Sequence, residues 1–317
     1  MTGARAAKTP AAIAVIAVLA AGCMWGSIGL FVRYLDGLGY SPLTVVFSRM
    51  SLAAALLGGF LLLTGDRRLF CVRRRDVWVM VAAGVSSAVL LNLFYSISIV
   101  MNALSLASIL LATAPIFVVA LSAPLFRERV TTQKVVAMIV VFGGSVLTSG
   151  IVGSGAAGAP GGGGFSPFGV LVGLLGALGW AMLGVMSRVA LNRGYHALTI
   201  NFYTFFFGAL GCAPFADFTL IGATVAAAPL KMSGFLLAHA LVSALLPYIL
   251  YTYGMRFMET GTAAILASVD PVFAAALGFF IYGERPDTVM LTGMAMVLAG
   301  LAALNLPKNP KREKSIG

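Results

Sequence analysis

The sequence predicts an all-α polytopic membrane protein: ten transmembrane helices arranged as two inverted five-helix repeats. Three observations predict it. The composition is too apolar for water, ten apolar stretches are each long enough to cross a bilayer, and the second half repeats the first. Of 317 residues, 60% are apolar and 10% charged, and the mean hydropathy is +0.99. A soluble domain carries roughly 25% charged residues and needs them to cover its surface. A soluble enzyme and a disordered chain are therefore excluded. The 37 glycines follow no Gly-X-Y period, which excludes collagen. Cys23, Cys71 and Cys212 have the spacing of neither a disulfide framework nor a zinc site. The 21 Lys and Arg against 10 Asp and Glu would suit nucleic acid on a soluble chain. Here the cations lie in short clusters between apolar runs, the pattern of loops retained in the cytoplasm.

A helix needs about 20 mainly apolar residues to cross roughly 30 Å of hydrocarbon. Such stretches run over 11–34, 42–64, 77–100, 103–126 and 132–150, then over 167–190, 198–220, 233–255, 261–282 and 288–306. Between the two sets, Gly153 to Ser166 reads GSGAAGAPGGGGFS, without charge or periodicity, the composition of a flexible linker. The chain thus divides into a first repeat over 11–150, a Gly-rich linker over 151–166, a second repeat over 167–306 and a basic tail over 307–317. At the N-terminus, Arg5 and Lys8 followed by an Ala/Ile/Val run and Ala20-Ala21-Gly22-Cys23 imitate a signal peptide with a lipoprotein-like cysteine. Apolar residues continue through Trp25, Leu30 and Phe31, so the stretch reads as a full span.

With the N-terminus in the cytoplasm, 17 of the 21 cations fall on that side, among them Arg67, Arg68, Arg73, Arg74 and Arg75. Arg33, Lys231 and Arg285 lie outside, and Arg49 is inside a span. The positive-inside bias therefore places both termini in the cytoplasm.

A shift of 156 overlays Ala107–Arg129 on Ala263–Arg285 with nine identities in 23 positions, including Pro115/Pro271, Phe117/Phe273, Glu128/Glu284 and Arg129/Arg285. Alanine and leucine match cheaply in such a composition; paired Pro, Phe and Glu-Arg do not. A shift of 155 pairs Trp25, Gly29, Arg33, Tyr40 and Phe47 with Trp180, Gly184, Arg188, Tyr195 and Phe202. Because five is odd, the second copy enters the membrane from the opposite side. Inverted repeats of this kind recur in secondary transporters, whose halves rock about a midplane site.

The two copies share an aromatic start (Trp25-Gly26, Trp180-Ala181) and a third-span tyrosine (Tyr95, Tyr251). Both also carry an Ala-Pro-Ile-Phe or Asp-Pro-Val-Phe stretch that closes on Glu-Arg. In this the chain resembles the paired EamA domains of the drug/metabolite transporter superfamily, over nearly its whole length. The resemblance implies a ten-helix inner-membrane carrier for small metabolites, often amino acids or their derivatives, and commonly an exporter.

Three ionisable residues fall inside spans: Arg49, His239 and Asp270. A charge at bilayer centre costs about 2.5–3.5 kcal/mol, so each should face a cavity or a partner. Asp270 precedes Pro271, whose missing N–H leaves the carbonyl of Ala267 without its helical partner. A carboxylate beside a freed carbonyl suits a cation or a proton; the alternative is a buried ion pair with Arg49 that locks the bundle. His239 reads as a proton relay or as a hydrogen-bonded core histidine. The repeat equivalents of Asp270, Arg49 and His239 are Ala114, Thr204 and Ala83, none of them charged. Symmetry accounts for the scaffold, and charges held in one half only suit an asymmetric solute. Trp25, Trp180, Tyr95, Tyr248, Tyr251 and Asn92 are candidates to line the cavity by stacking or cation–π contact, with interfacial anchoring as the alternative for the two tryptophans. Pro115 and Pro271 are candidate hinges. The Glu-Arg pairs read as local pairs or caps.

No Walker A motif supplies ATP as the driver. Neither HExxH nor GxSxG occurs, so an intramembrane enzyme is disfavoured. A channel would favour rings of like residues, which the sequence lacks. The expected protein is a non-enzymatic secondary carrier working by alternating access, with Asp270 binding a proton or the amine of a small zwitterionic or cationic solute. It needs no cofactor or metal and no nucleic acid. Its partners are a small-molecule solute and the lipid bilayer, and both a monomer and a homodimer are compatible with the sequence.

Overall fold

A computed structural model of the chain describes residues 3–101, 104–148, 166–282 and 287–305. The Gly-rich linker up to residue 165, the basic tail and the Glu284-Arg285 pair lie outside the described residues. All regular structure that is described is helical. In the first half it comprises α1 (Gly3–Gly26), α2 (Ile28–Asp36), α3 (Pro42–Thr64), α4 (Val77–Val85), α5 (Leu91–Met101), α6 (Leu104–Leu111), α7 (Ala114–Phe126) and α8 (Thr132–Thr148). In the second it comprises α9 (Pro167–Asn192), α10 (Ala197–Cys212), α11 (Phe218–Ala227), α12 (Pro229–Ala240), α13 (Leu246–Gly254), α14 (Thr260–Ala267), α15 (Asp270–Tyr282) and α16 (Thr288–Asn305). Eight continuous or broken stretches are long and apolar enough to cross a membrane, and α8 and α16 are shorter apolar helices. Together they account for the ten expected spans: α1–α2, α3, α4–α5, α6–α7 and α8, then α9, α10, α12–α13, α14–α15 and α16.

Local chemistry sets the ends. Ser41 and Ser166 each precede a proline and accept a hydrogen bond from the backbone of Thr44 and Gly169, both at 3.2 Å. This is the Ser-cap, Pro-at-first-position start that satisfies an orphan N–H and wastes none. The seventh span stops earlier than its apolar run suggests. Pro214 follows α10 directly, and Asp217 then caps a separate helix by accepting from Leu220 at 2.8 Å. The first span breaks at Ser27, within a Trp-Gly-Ser-Ile-Gly stretch, a Gly/Ser kink site.

The repeat is visible in the irregularities as well as in the helices. A π-helical turn at Ser86–Leu90 separates α4 from α5, and another at Leu241–Leu245 separates α12 from α13. The break between α6 and α7 is matched by the break between α14 and α15. Each falls 155 or 156 residues after its mate, the offsets read from the sequence. The halves run antiparallel: Glu128, just after α7, accepts from the backbone N–H groups of Thr260 and Gly261 at the start of α14, at 2.6 and 3.1 Å. The fourth span therefore ends where the ninth begins, as inversion requires.

The outer surface is apolar, with Leu63 90%, Leu230 91% and Phe280 79% exposed, as lipid-facing positions are. Inside, α8 and α16 meet along a seam of small residues. A Cβ on Gly144 would lie 2.7 Å from the carbonyl oxygen of Gly293, and one on Gly293 would lie 2.6 Å from that of Gly144. Gly300 packs likewise on the Ala137 carbonyl, at 3.2 Å. Gly300 is the repeat mate of Gly144 and Gly293 that of Ala137, so the seam straddles the pseudo-two-fold axis. Small residues that let backbones touch are the usual substitute for hydrophobic drive in lipid.

Gly144→Val should therefore force the backbones apart and destabilise the protein by about 1–3 kcal/mol, read as a lower thermal midpoint in detergent. Gly29→Ala, with nothing within 4 Å of the added methyl, should leave the midpoint unchanged or raise it by the equivalent of about 0.5–1 kcal/mol through helix propensity.

Candidate functional site

Both helix breaks fall at the proline of the repeated motif. Pro115 and Pro271 sit in the first turn of α7 and of α15, where a missing N–H costs nothing. At the second break the kinked helix expected from the sequence is replaced by two helices. Ser268 donates to Ile265 at 3.2 Å, and Val272 and Phe273 both donate to Val269, at 3.1 and 3.2 Å. The Ala267 carbonyl packs against Gly22, where a Cβ would approach it to 2.5 Å. Asp270 opens α15, half-buried at mid-span. Its backbone carbonyl faces Gly26 of α1, where a Cβ would again come within 2.5 Å. Cys23, one turn back on α1, lies within electrostatic reach of its carboxylate.

Beside Gly26, Trp25 is the hub of an aromatic group drawn from three spans. Its ring centroid lies 6.1 Å from Trp180 of α9, 5.6 Å from Tyr248 and 5.3 Å from Tyr251, both of α13. Trp180 and Tyr251 are 6.2 Å apart. The tryptophans thus face each other inside the bundle, which overturns interfacial anchoring as their role. The Tyr251 hydroxyl is buried with no hydrogen-bond partner among the described residues and faces Gly184, where a Cβ would lie 3.2 Å away. Tyr95, the repeat mate of Tyr251, stands on α5 with its backbone against Gly176 of α9.

Arg49 lies elsewhere. It is 7% exposed, on α3, within electrostatic reach of Tyr248, Cys212 and His239. No ion pair joins it to Asp270 among the described residues, so the locking pair considered from the sequence is not formed. Its Nε has no hydrogen-bond partner among the described residues. His239 is wholly buried and stacks on Phe31 of α2 at 5.1 Å. Among the described residues neither ring nitrogen has a hydrogen-bond partner, so the hydrogen-bonded core histidine considered from the sequence is not formed. Asn92 directs its amide at its own helix, donating to the carbonyls of Ala88 at 2.7 Å and Ser87 at 3.4 Å. Its side chain thus serves the π turn. Asp270 therefore lies across Gly26 from the cluster of Trp25, Trp180 and Tyr251, which Tyr248 joins to the surroundings of Arg49.

A second group was only half legible. Glu128 was read as a local cap; the structure makes it a cap across the halves. Besides the two α14 amides, its carboxylate accepts from Ser122 at 2.9 Å. Lys134 lies 3.9 Å from it and 2.6 Å from Glu259. On α9, Arg188 donates to Thr260 at 2.9 Å and to the carbonyl of Met258. Four spans are thereby tied at one face. Burial opposes the Glu128 charge, but the Gly261 and Thr260 amides and the Ser122 hydroxyl outweigh it, holding the carboxyl below the usual glutamate range.

The EamA-like transporter family model matches the chain twice, over residues 12–150 and 167–306. An uncharacterized transporter of Archaeoglobus fulgidus is 28% identical over 295 residues, 90% of this chain and 93% of that one. YxxF, an uncharacterized transporter of Bacillus subtilis, is 27% identical over 91% of this chain and 88% of its own length. A pseudopaline exporter, CntI, of Pseudomonas aeruginosa is 28% identical over 74% of this chain and 77% of that one. A solved crystal structure superposes with a TM-score of 0.72 at 18% identity, covering 92% of this chain and 96% of that chain. At that identity the likeness is one of fold.

The Glu128 cap gives a pH prediction. A carboxyl with a depressed folded-state pKa adds stability above its unfolded value of about 4.3, and that stability is lost as pH falls through the folded value. The thermal midpoint should therefore drop on acidification below about pH 4. Glu128→Gln should lower the midpoint at neutral pH, by the equivalent of about 1–3 kcal/mol, and flatten that acid limb.

Proposed function

The chain belongs to the EamA-like transporter family, and from that premise we propose that it is a secondary carrier exporting small metabolites of the amino-acid or related amine class by alternating access. It would lie in the cell inner membrane with both termini cytoplasmic. The observation that carries this reading is Asp270: a carboxylate whose repeat mate, Ala114, is uncharged, at the mouth of a half-helix, beside a cluster of aromatic rings. Discontinuous helices at matching positions of inverted repeats are the general mark of a midplane solute site. Of the remaining candidates, Trp25, Trp180 and Tyr251 offer faces for stacking or cation–π contact with an ammonium. Arg49, on the far side of Tyr248, would receive the anionic end of a zwitterion. Asn92 and His239 have structural surroundings, and in this reading they support rather than contact. That a relative carries the name of an exporter supports the outward direction.

Asp270 would exchange a proton for the solute's ammonium. The exchange couples transport to a proton gradient only if the carboxylate meets one side at a time. The Glu128 group supplies a lock for one side: to open that face, α14 must leave the carboxylate that caps it, and Arg188 must release Met258 and Thr260. Prolines at both breaks let each half-helix move without losing a backbone hydrogen bond, which is the hinge role assigned to Pro115 and Pro271.

Proteoliposomes with an imposed pH gradient should show saturable flux of a small amine or amino acid. Asp270→Asn should reduce the gradient-driven component to the level of protein-free vesicles at unchanged expression, and Asp270→Glu should restore part of it. Unsaturable flux would instead indicate a channel, and wild-type coupling in the Asn variant would remove Asp270 from the mechanism. Single cysteines replacing Arg129 and Arg285 should label with an impermeant reagent from opposite faces, position 129 only after the cytoplasmic side is exposed.

A further inference from the structure

Outside the solute site, the strongest unassigned feature is a basic cleft at the face that carries the Glu128 group. The stretch between α3 and α4 forms one wall and the turn between α9 and α10 the other. A cavity of about 450 Å³ is lined by Arg68, Arg73, Arg193, His196 and Thr199 among others. It adjoins a second of about 320 Å³, bordered by Arg188 and Arg256, with Gly194, Tyr195 and His196 common to both. Among the described residues, no acidic one lines either cavity.

Positive loops orient a membrane protein whether or not they are structured; here the cations are mounted on a fixed frame. Asp66 caps a short 3-10 turn over Arg67–Phe70 by accepting from the Arg68 amide at 3.0 Å. The carbonyls of Leu69 and Phe70 are held by the hydroxyls of Thr199 at 2.8 Å and Tyr203 at 2.7 Å. The Tyr195 hydroxyl donates to Asp76 at 2.6 Å and accepts from the Arg73 amide at 3.1 Å. Asp76 also takes Arg193 at 2.6 Å, so its charge is already engaged. The acceptors of this wall are thus satisfied internally, whereas its guanidinium groups line the cleft. The carbonyl bonds fix the wall in advance, which lowers the ordering cost of a ligand.

What sits beside the cleft identifies the ligand. Arg193, in its wall, lies 5.4 Å over the ring of Trp78. Trp78 is 53% exposed on the first turn of α4, where the span begins. An exposed tryptophan at a span end marks the level of lipid headgroups, so the cleft opens where a phospholipid phosphate would lie. Basic pockets between spans take anionic headgroups, and guanidinium forks match phosphate oxygens in pairs. We propose that this cleft binds the phosphate headgroup of an anionic phospholipid, its acyl chains lying along the Trp78 surface.

The test is retention of lipid by the purified full-length protein, read by native mass spectrometry after exchange into detergent with equal phosphatidylglycerol and phosphatidylcholine. Two double variants are compared with wild type: Arg68→Lys with Arg73→Lys, which keeps the net charge and hence the topology, and Arg68→Gln with Arg73→Gln. Wild type should prefer phosphatidylglycerol by about tenfold or more, as a pair of charge-assisted hydrogen bonds allows. The Lys pair should lose most of that preference and the Gln pair all of it. The proposal is overturned by equal retention of both lipids in wild type. It is equally overturned if the Lys pair binds as wild type does, which would reduce the effect to diffuse charge. A wild-type protein that retains inorganic phosphate but no phosphatidylglycerol would also overturn it in favour of a soluble anion. The measurement involves no transport, so it stands or falls separately from the carrier reading.

Discussion

Hydrocarbon offers no partner to an open N–H or C=O, and this one constraint organises the molecule. A spanning backbone must satisfy itself or be covered by protein. Departures from the regular helix are therefore conspicuous, and two of them have an identifiable cover. Asn92 donates to the carbonyls freed around the first π turn. Gly22 brings α1 against the Ala267 carbonyl at the ninth-span break. Prolines with no N–H to satisfy begin the half-helices. The ninth-span break packs on α1 at Gly22 and Gly26, on either side of Trp25, so irregular backbone and aromatic rings adjoin there.

The repeat separates what the scaffold needs twice from what occurs once. Features kept at the 155 or 156 offset, namely the π turns, the two breaks and the glycine seam of α8 and α16, are those the architecture needs twice. Asp270, Arg49 and His239 have uncharged mates. Glu128 has an acidic mate in Glu284, so it belongs with the scaffold by sequence, and its place as a cap across the halves agrees. The kink at Ser27 is an exception, because α9, the mate of α1–α2, is continuous. The first span is thus bent in one half only, beside the carboxylate that also occurs in one half only.

The fold was largely readable because lipid writes it into composition: α3 covers the predicted 42–64, and the inversion follows from an odd number of spans. Asp270 was readable for the same reason, since a lone carboxylate in an apolar run is conspicuous. Contacts between distant positions were not. Glu128 and Thr260 stand 132 residues apart, and only the repeated Glu-Arg hinted at a role. Composition could not tell a tryptophan at a water interface from one in the middle of the bundle, so Trp25 and Trp180 needed coordinates. Asn92 and His239 looked functional by residue type, whereas their surroundings depend on π turns that leave no trace in hydropathy.

Those turns also have a geometric consequence. In a regular helix each residue advances roughly 100°, so His239 and Tyr248, nine positions apart, would point about 180° from each other. The π turn between them absorbs roughly one residue and leaves them about 80–90° apart. One surplus residue thus rotates Tyr248 onto the flank where Arg49 feels both it and His239. Deleting one residue from 241–245 would leave eight regular helical steps between His239 and Tyr248, again about 80°, so α13 would keep its inward face and only the π turn would be lost.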